Sequence, residues 1–285
     1  MTLTDTHAHL YWDEFQEDFK EVLQRAKDAG VTNIINVGVD IEKSEIALKQ
    51  VRDFPEGFLV RSTMGIHPHE AYKYTTDESI HKDIAKLEQL YLSAPDMVTA
   101  IGECGLDFAF SGNPDFIPTS LSIDKIKNLQ IKLLQAQIDL AKKLNLPLLV
   151  HVRDDRSEDL ENSDAWDKIL EMIADYPTLL HCYSGLPKTT ETVLKNPNLI
   201  ISFAATLTYP RNDYLKEAAK LIPLERIVLE TDCPFLPPQS KRGTRNEPAN
   251  VAEIAKLLSE IKNVTLEEVA DQTTKNAFVF FKISV

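Results

Sequence analysis

Eight short apolar runs alternate with stretches of helical periodicity along the 285 residues of the chain. Short apolar runs bounded by turn residues predict strands, and the amphipathic stretches between them predict helices. The predicted strands are residues 2–6, 33–39, 58–64, 98–101, 147–150, 178–180, 199–203 and 227–229. One strand–helix unit then takes about 36 residues (285/8), which is typical of an α/β fold of the (β/α)8 TIM-barrel type.

The helical pattern is clearest at residues 15–29, 126–144 and 249–261. The alternative α/β fold is an open doubly wound sheet, which usually carries a glycine-rich turn after its first strand. Residues 6–10, which follow the first predicted strand here, include no glycine. No linker or repeat divides the chain, so we expect a single domain over residues 1–285. Gly112, Pro114 and Pro118 predict an inserted loop at residues 108–122.

Charge and composition restrict the surroundings in which such a chain can act. The net charge is −13, so binding of nucleic acid over the whole surface is excluded and an anionic substrate needs local cations or metal ions. The chain has three cysteines, an odd number that favours a reducing compartment. We find no apolar stretch long enough to span a membrane and no signal peptide, and we expect a cytoplasmic protein.

Histidines and carboxylates concentrate where the predicted strands end, which is where TIM barrels build their active sites. These residues are His7, His9, His67, His69, Glu103, His151, His181, Glu230 and Asp232. His7 and His9 are two residues apart on a strand, so both side chains point to one face and can chelate one ion. Mixed imidazole and carboxylate ligands suit zinc, manganese, iron or magnesium. Glu103 has two oxygens that could bridge two ions, and such a pair would lower the pKa of water to near neutrality.

Seven motifs occur in an order that resembles the TatD family of metal-dependent deoxyribonucleases, within the amidohydrolase-type barrels. The motifs are DTHAHL (5–10), GIHPH (65–69), GECGLDF (102–108), PLLVHVR (147–153), HCYSG (181–185), ETDCPFLP (230–237) and RNEP (245–248). The resemblance implies a (β/α)8 barrel that hydrolyses phosphodiester bonds in DNA. It implies one metal site formed by His7, His9, Glu103 and Asp232, and a second formed by Glu103, His151 and His181. The cofactor would be one or two divalent cations, Mg²⁺, Mn²⁺ or Zn²⁺.

Further roles are expected around this ligand set. Asp232 would act as general base, Glu103 would bridge, and His67 would contact the phosphate or assist the leaving group. We expect Asp5 and Asp107 to orient histidine ligands, and His69 to pair with a nearby carboxylate. Cations that follow strand ends are expected to gather around DNA phosphates at the barrel mouth, namely Arg153, Arg211, Lys241, Arg242 and Arg245.

Other side chains near these motifs have a structural interpretation. Cys104, Cys182 and Cys233 each directly follow a proposed ligand, and we expect all three to be buried thiols. Aromatic residues in the loops could stack on bases, but packing within their own loops is favoured; these are Phe108, Phe110, Phe116, Tyr183 and Tyr209.

Two other functions use the same barrel. The first is hydrolysis of a carbonyl ester, lactone, amide or aminoacyl-tRNA, since an activated water attacks carbon and phosphorus alike. The second is a catalytically silent binding scaffold, against which the complete ligand set argues. The long loop at residues 108–122 and the Asp154-Asp155-Arg156 segment depart from the family pattern near the expected groove. The leading hypothesis is a nuclease acting on DNA ends, with no membrane and no obligatory protein partner.

Overall fold

The computed structural model describes residues 1–110, 121–156 and 159–284. Eight parallel strands form one sheet in chain order, and helices connect them. The strands are β1 Leu3–Ala8, β2 Val31–Val37, β3 Leu59–Met64, β4 Val98–Asp107, β5 Leu148–Arg153, β6 Thr178–Leu180, β7 Leu199–Phe203 and β8 Ile227–Leu229. The predicted (β/α)8 barrel is confirmed.

The helices pack around this barrel and show the expected end signals. They are α1 Phe19–Asp28, α2 Ile41–Arg52, α3 Asp77–Ser93, α4 Ile123–Leu144, α5 Asp164–Ile173, α6 Pro187–Lys195, α7 Asp213–Leu221, α8 Val251–Lys262 and α9 Leu266–Phe280. Ser122 caps α4 by accepting the N–H of Lys125, and Thr265 forms a capping box with Glu268 at α9. None of the described helices combines the length and apolarity that a membrane span needs.

Two of the predicted helices begin later in the structure than in the sequence analysis. The segment Asp13–Phe15 forms a separate 3-10 turn, so α1 begins at Phe19 instead of residue 15. Another 3-10 turn, Pro248–Asn250, precedes α8 in the same way. Of the predicted loop at residues 108–122, residues 111–120 lie outside the described part of the chain.

Three strands extend farther than the apolar runs that predicted them. β1, β4 and β5 run on to Ala8, Asp107 and Arg153, so several ligands lie within strands rather than after them. In β4 the apolar run ends at Gly102, but the strand continues because glycine lets it approach β5 closely. A Cβ on Gly105 would lie 1.9 Å from the carbonyl oxygen of His151, so only glycine fits.

The barrel closes between β8 and β1 with little strand pairing. One isolated bridge joins Ala8 to Cys233. The carboxylate of Asp5 supplies further links, because its Oδ1 accepts the N–H of Thr231 at 2.9 Å and its Oδ2 accepts the Thr231 hydroxyl at 2.6 Å. After the end of β8, the N–H of Asp232 donates to the carbonyl of His7 in β1 at 2.8 Å. Side chain and backbone thus join the two strands where the ladder is short.

The barrel interior below the polar mouth is packed with aliphatic side chains. Inward-facing residues of five strands form this cluster, namely Ile35, Val37, Ala100, Leu149, Leu179 and Val228. Phe281 and Ile283, which follow α9, pack beneath them and close the lower end of the barrel. The lower half of the barrel is therefore a solid core, and the polar chemistry is confined to the upper end.

Candidate metal centre

A cavity of about 590 Å³ opens at the carboxyl ends of the strands. Five of the predicted histidines and both of the predicted metal-binding carboxylates line it. They are His9, His67, His69, His151, His181, Glu103 and Asp232. His7 lies directly beneath the cavity, fully buried. The predicted ligand residues of both sites are therefore in one place.

The first group of ligand atoms comes from β1, β4 and the loop after β8. His7 Nε2 lies 3.2 Å from His9 Nε2 and 3.4 Å from Glu103 Oε2. Asp232 Oδ1 lies 3.6 Å from His7 Nε2 and 3.3 Å from His9 Nε2. Four donors held about 2.1 Å from a tetrahedral ion are about 3.4 Å from one another. The separations among His7, His9 and Asp232 fit a single ion, and Glu103 Oε2 lies beside this trio, 3.9 Å from His9 Nε2.

The second group uses the other oxygen of the same glutamate. Glu103 Oε1 lies 2.8 Å from His181 Nε2 and 3.2 Å from His151 Nδ1. The two imidazole nitrogens are themselves 3.2 Å apart. Glu103 thus presents one oxygen to each group, which is the arrangement of a bridging carboxylate. His67 Nε2 also lies 3.4 Å from Oε1, so it borders the second group.

Hydrogen bonds on the far side of three imidazoles decide which nitrogen can bind a metal. His9 Nδ1 lies 2.9 Å from the carbonyl of Val37, and a carbonyl can only accept, so Nδ1 carries the proton. His181 Nδ1 lies 3.2 Å from Glu230 Oε1.

His151 shows the same pattern with its nitrogens exchanged, since Nε2 lies 3.2 Å from Asp107 Oδ2. In His9, His151 and His181, the nitrogen with the free lone pair therefore faces Glu103 or Asp232. That orientation is typical of metal-binding histidines.

The electrostatics of this site also suit cations. Burial opposes charge on Glu103, yet His181, His67 and His7 lower its pKa well below the usual range. Burial opposes charge on His181 as well, but Glu103 and Glu230 raise its pKa well above the usual range. In His67, burial dominates and lowers the pKa to about 4. A divalent cation would replace protons shared between these carboxylates and imidazoles, so metal binding would release protons.

Comparison with known proteins decides the family. A sequence model of the family described as "TatD related DNase" matches residues 4–282. The chain belongs to the TatD family. It is 33% identical to the metal-dependent hydrolase YabD of Bacillus subtilis, itself described as uncharacterized, over 99% of this chain and all of that protein. Identity is 30% with a 3'-5' ssDNA/RNA exonuclease TatD of Erwinia tasmaniensis, over 98% of this chain and 99% of that protein.

Two further comparisons agree with this assignment. The human deoxyribonuclease TATDN3 is 30% identical, over 98% of this chain and 94% of that protein. The crystal structure of YJJV, a TatD homologue of Escherichia coli, superimposes with a TM-score of 0.80 at 26% identity, over 99% of this chain and 98% of that one. The family and the fold predicted from the motifs are both confirmed.

The two aspartates predicted to orient ligands differ in what they hold. Asp107 Oδ2 accepts from His151 and also lies 2.8 Å from His69 Nε2, so His69 pairs with a carboxylate as expected. Asp5 does not contact an imidazole. Its Oδ1 accepts the backbone N–H of His7 at 3.2 Å, and its other bonds go to Thr231. Asp5 therefore contacts His7 through the backbone that carries this ligand, not through its ring.

Glu230 is a residue of this TatD site whose role the sequence analysis did not assign. Its side chain is fully buried, and Oε1 accepts the N–H of Cys182 at 2.7 Å in addition to the contact with His181. It therefore performs for His181 what Asp107 performs for His151. The available signal was its place directly after β8, at the end of the barrel where the other polar residues of the site lie.

The predicted cations do not all gather at the cavity. Of the five, only Arg153 lines it, with a side chain that is 52% exposed. Arg211 and Arg242 line a separate cavity of about 310 Å³, where Arg242 lies over the Tyr209 ring. Lys241 donates to Asn250 Oδ1 at 2.6 Å.

Arg245 is held by carboxylates instead of facing the cavity. Its guanidinium donates to Asp18 and Glu247 and lies 4.8 Å from the centre of the Phe15 ring. These contacts tie the segment after β8 to the segment before α1. They give Arg245 a structural role, and they do not support contact with substrate.

Two of the three cysteines and two of the loop aromatics follow the structural interpretation. Cys104 and Cys233 are fully buried, whereas Cys182 is half-buried and lines the cavity, which corrects the prediction for that thiol. Burial raises the pKa of Cys182 well above its usual range, so the thiol stays protonated. Tyr183 and Tyr209 are 1% and 4% exposed and present no free face to a base. Phe116 lies outside the described residues.

Proposed function

We propose that this chain is a metal-dependent deoxyribonuclease that hydrolyses phosphodiester bonds at DNA ends. One observation carries the proposal: the free nitrogens of three oriented histidines face carboxylates in one cavity, those of His151 and His181 facing Glu103 and that of His9 facing Asp232. The names of the human and Erwinia relatives, a deoxyribonuclease and a single-strand exonuclease, support a nucleic-acid substrate.

The ligand set proposed here is the one that the motifs implied. Glu103 Oε2 with His7, His9 and Asp232 would hold one cation, and Glu103 Oε1 with His151 and His181 would hold a second. Nitrogen and carboxylate donors suit Zn²⁺ or Mn²⁺ at both positions, and Mg²⁺ less well because it prefers oxygen. When bound, the cations would lower the pKa of water to near neutrality and offset the charge that develops on the phosphate.

Asp232 is assigned the role of general base. Its side chain is 15% exposed and lines the cavity, so a water molecule can reach it. Oδ1 faces His7 and His9, which leaves Oδ2 to accept a proton from the attacking water.

His67 is assigned contact with the phosphate. Its Nδ1 accepts the backbone N–H of His69 at 3.1 Å, so the neutral ring carries its proton on Nε2. Nε2 is therefore a donor, and it lies at the cavity 3.4 Å from Glu103 Oε1. A donor in this position can bond a phosphate oxygen or the departing oxygen, and a neutral ring with that tautomer is not a metal ligand through Nε2.

Substrate contacts farther from the reacting bond fall to cations on the rim. Arg153 would bind the phosphate nearest the cavity, since its exposed guanidinium lines the opening. Lys241 and Arg242 are exposed outside the cavity and would contact more distant phosphates. We further propose a cytoplasmic protein that acts as one domain over residues 1–285 without an obligatory protein partner. The three free cysteines fit a reducing compartment.

The test uses metal-stripped protein and single-stranded DNA labelled at the 5′ or the 3′ end, with magnesium, manganese or zinc added in turn. We expect stepwise shortening that requires metal and is absent in Glu103→Ala. Asp232→Asn should lower turnover by about 10²- to 10⁴-fold. The matched control is Asp213→Asn, the same change at a side chain that is 75% exposed on α7.

Two outcomes would refute parts of this proposal. Near-normal turnover of Asp232→Asn would exclude its role as general base. If wild-type protein binds metal but cleaves no DNA with any of the three ions, the nuclease function is wrong, and ester, lactone and aminoacyl-tRNA substrates become the next panel.

A further inference from the structure

Three aromatic side chains, Tyr11, Trp12 and Phe235, pack in a row beside the metal cavity, which Trp12 and Phe235 line; we call this row the aromatic rim. The Trp12 ring lies 6.0 Å from the Phe235 ring at an interplanar angle of 79°, and 5.9 Å from the Tyr11 ring at 29°. Phe235 is 45% exposed, unlike the buried loop aromatics Tyr183 and Tyr209. The rim therefore presents apolar ring surface to a space that a ligand can enter.

The rim lies directly beside the proposed metal ligands. The Phe235 ring is 6.1 Å from the ring of His9, and the Tyr11 hydroxyl is 3.2 Å from His9 Nδ1. Phe235 also follows Asp232 in a tight turn, because its N–H donates to the Asp232 carbonyl at 3.0 Å. A molecule whose reacting group is held by His9 and Asp232 thus has its neighbouring part against this ring surface.

A second space continues the surface away from the metal centre. Trp12 lines both the metal cavity and a neighbouring groove of about 380 Å³. That groove is mostly apolar, with Phe15, Phe19 and Phe54 among its lining residues. The ammonium of Lys43 lies 5.5 Å from the centre of the Trp12 ring. Flat apolar rings with a cation alongside are the combination that binds nucleobases together with backbone phosphate.

We propose that Trp12 and Phe235 form a stacking subsite for the nucleobase next to the phosphodiester at the metal centre. The inference rests on the proposed nuclease function and deepens it, since it names the residues that would hold the base beside the reacting phosphodiester. A base in a duplex is paired and stacked on both sides by its neighbours, whereas an unpaired base can lie against an aromatic ring. The subsite accordingly takes an unpaired base, and it accepts any of the four bases because each has a π-face.

The first test separates ring stacking from mere apolar bulk. Phe235→Tyr keeps an aromatic face and Phe235→Leu removes it. Leu92→Ala, a change at a 64%-exposed apolar residue of α3, is the control for loss of exposed apolar surface elsewhere. On single-stranded DNA with natural bases, Phe235→Leu should lower kcat/KM roughly 5- to 150-fold, mainly through KM, while Phe235→Tyr and Leu92→Ala stay near wild type.

The same proteins are then compared on an oligonucleotide with abasic residues at the end that is cleaved. The loss caused by Phe235→Leu should shrink there, because the base that it would stack on is missing. An equal loss on both substrates would overturn the subsite, as would wild-type kinetics of Phe235→Leu on natural DNA.

A second readout needs no catalysis. The chain has two tryptophans, and Trp166 is 1% exposed, so Trp12 is the one that a ligand can reach. Titrating metal-free protein with oligothymidylate should quench tryptophan fluorescence, and Trp12→Phe should abolish the quenching. Binding without quenching would overturn the subsite. If the quenching occurs but no metal supports cleavage, the subsite stands and the nuclease function fails, so the two failures are distinguishable.

Discussion

Replacing Glu230 by glutamine isolates what one buried carboxylate contributes to the metal centre. Glu230 Oε1 accepts from His181 Nδ1 at 3.2 Å and from the N–H of Cys182 at 2.7 Å, and Oε2 is buried without a hydrogen-bond partner among the described residues. Glutamine has the same shape but only one oxygen and no charge. If its oxygen keeps both bonds, its amide nitrogen occupies the Oε2 position as a buried donor without an acceptor.

The magnitude follows from both consequences. A neutral acceptor holds the His181 ring and its tautomer less firmly, and loss of such a partner typically lowers metal affinity or activity 10- to 100-fold, or about 1.4–2.7 kcal/mol. The unsatisfied amide adds about 1–3 kcal/mol of lost folding stability. We therefore expect Glu230→Gln to weaken the metal site and also to lower the unfolding free energy of metal-free protein.

Metal affinity is measured by competition with a chromogenic chelator, and stability by urea unfolding of the metal-free protein. Glu171→Gln, at a side chain that is 69% exposed on α5, is the matched control. Unchanged metal affinity in Glu230→Gln would refute the view that this carboxylate orients His181 for metal binding, whatever happens to stability.

Three other substitutions test contacts that stabilise the barrel around the site. Burial raises the pKa of Asp154 from 3.8 to about 6, so its contribution to stability is full below pH 4 and falls as the pH rises through 6, by at most about 3 kcal/mol. Asp154→Asn should remove this pH dependence from the unfolding free energy. If the wild type and the variant lose the same stability between pH 4.5 and pH 7.5 in urea unfolding, the prediction is contradicted. Arg226 donates to four backbone carbonyls around the end of α6 and the start of β7. Arg226→Lys should therefore lower the unfolding free energy by about 2–4 kcal/mol in denaturant unfolding. A loss below about 1 kcal/mol would show that the guanidinium is not needed for these bonds to stabilise the fold. Gly105→Ala should destabilise by about 3 kcal/mol or more and weaken metal binding, because its Cβ would displace the His151 carbonyl, and an unchanged melting temperature would disprove that steric argument.

The barrel was predictable from the sequence because its strands are buried on both faces and separate cleanly from amphipathic helices. The strand ends were less predictable. Gly102 interrupts the apolar run, and the close approach of β4 to β5 that extends the strand past it depends on a neighbour distant in sequence. The ends of β1 and β5 were also hard to predict, because His7 and His151 are polar residues that lie inside these strands.

The candidate site was predictable in its residues but not in its contacts. Spacing and the family motifs place His9, His151 and His181 together. No sequence pattern tells which nitrogen of each ring is hydrogen-bonded to Val37, Asp107 or Glu230 and which is free to bind a metal. The contact that Asp5 makes with His7 was unpredictable for a related reason, since a strand residue that points inward can bond to a neighbouring backbone as readily as to a ring. Trp12 and Phe235 were not recognised as partners because they meet only where β8 returns to β1.

The first ligand group lies across the seam between β1 and β8, so an ion bound there would join the first and last strands of the barrel. Asp5 and Thr231, which hold the seam together, are 226 residues apart, and His7, His9 and Asp232 lie immediately above them. An ion bound by those three ligands would therefore close a loop that takes in most of the chain, for which the entropic cost of closure has already been met in the folded ring. During synthesis this ligand group can form only after β8 has emerged and docked. Metal binding would then occur only in molecules whose barrel has closed. The bound ion would also slow the separation of β1 from β8, the step with which unfolding at this seam would begin.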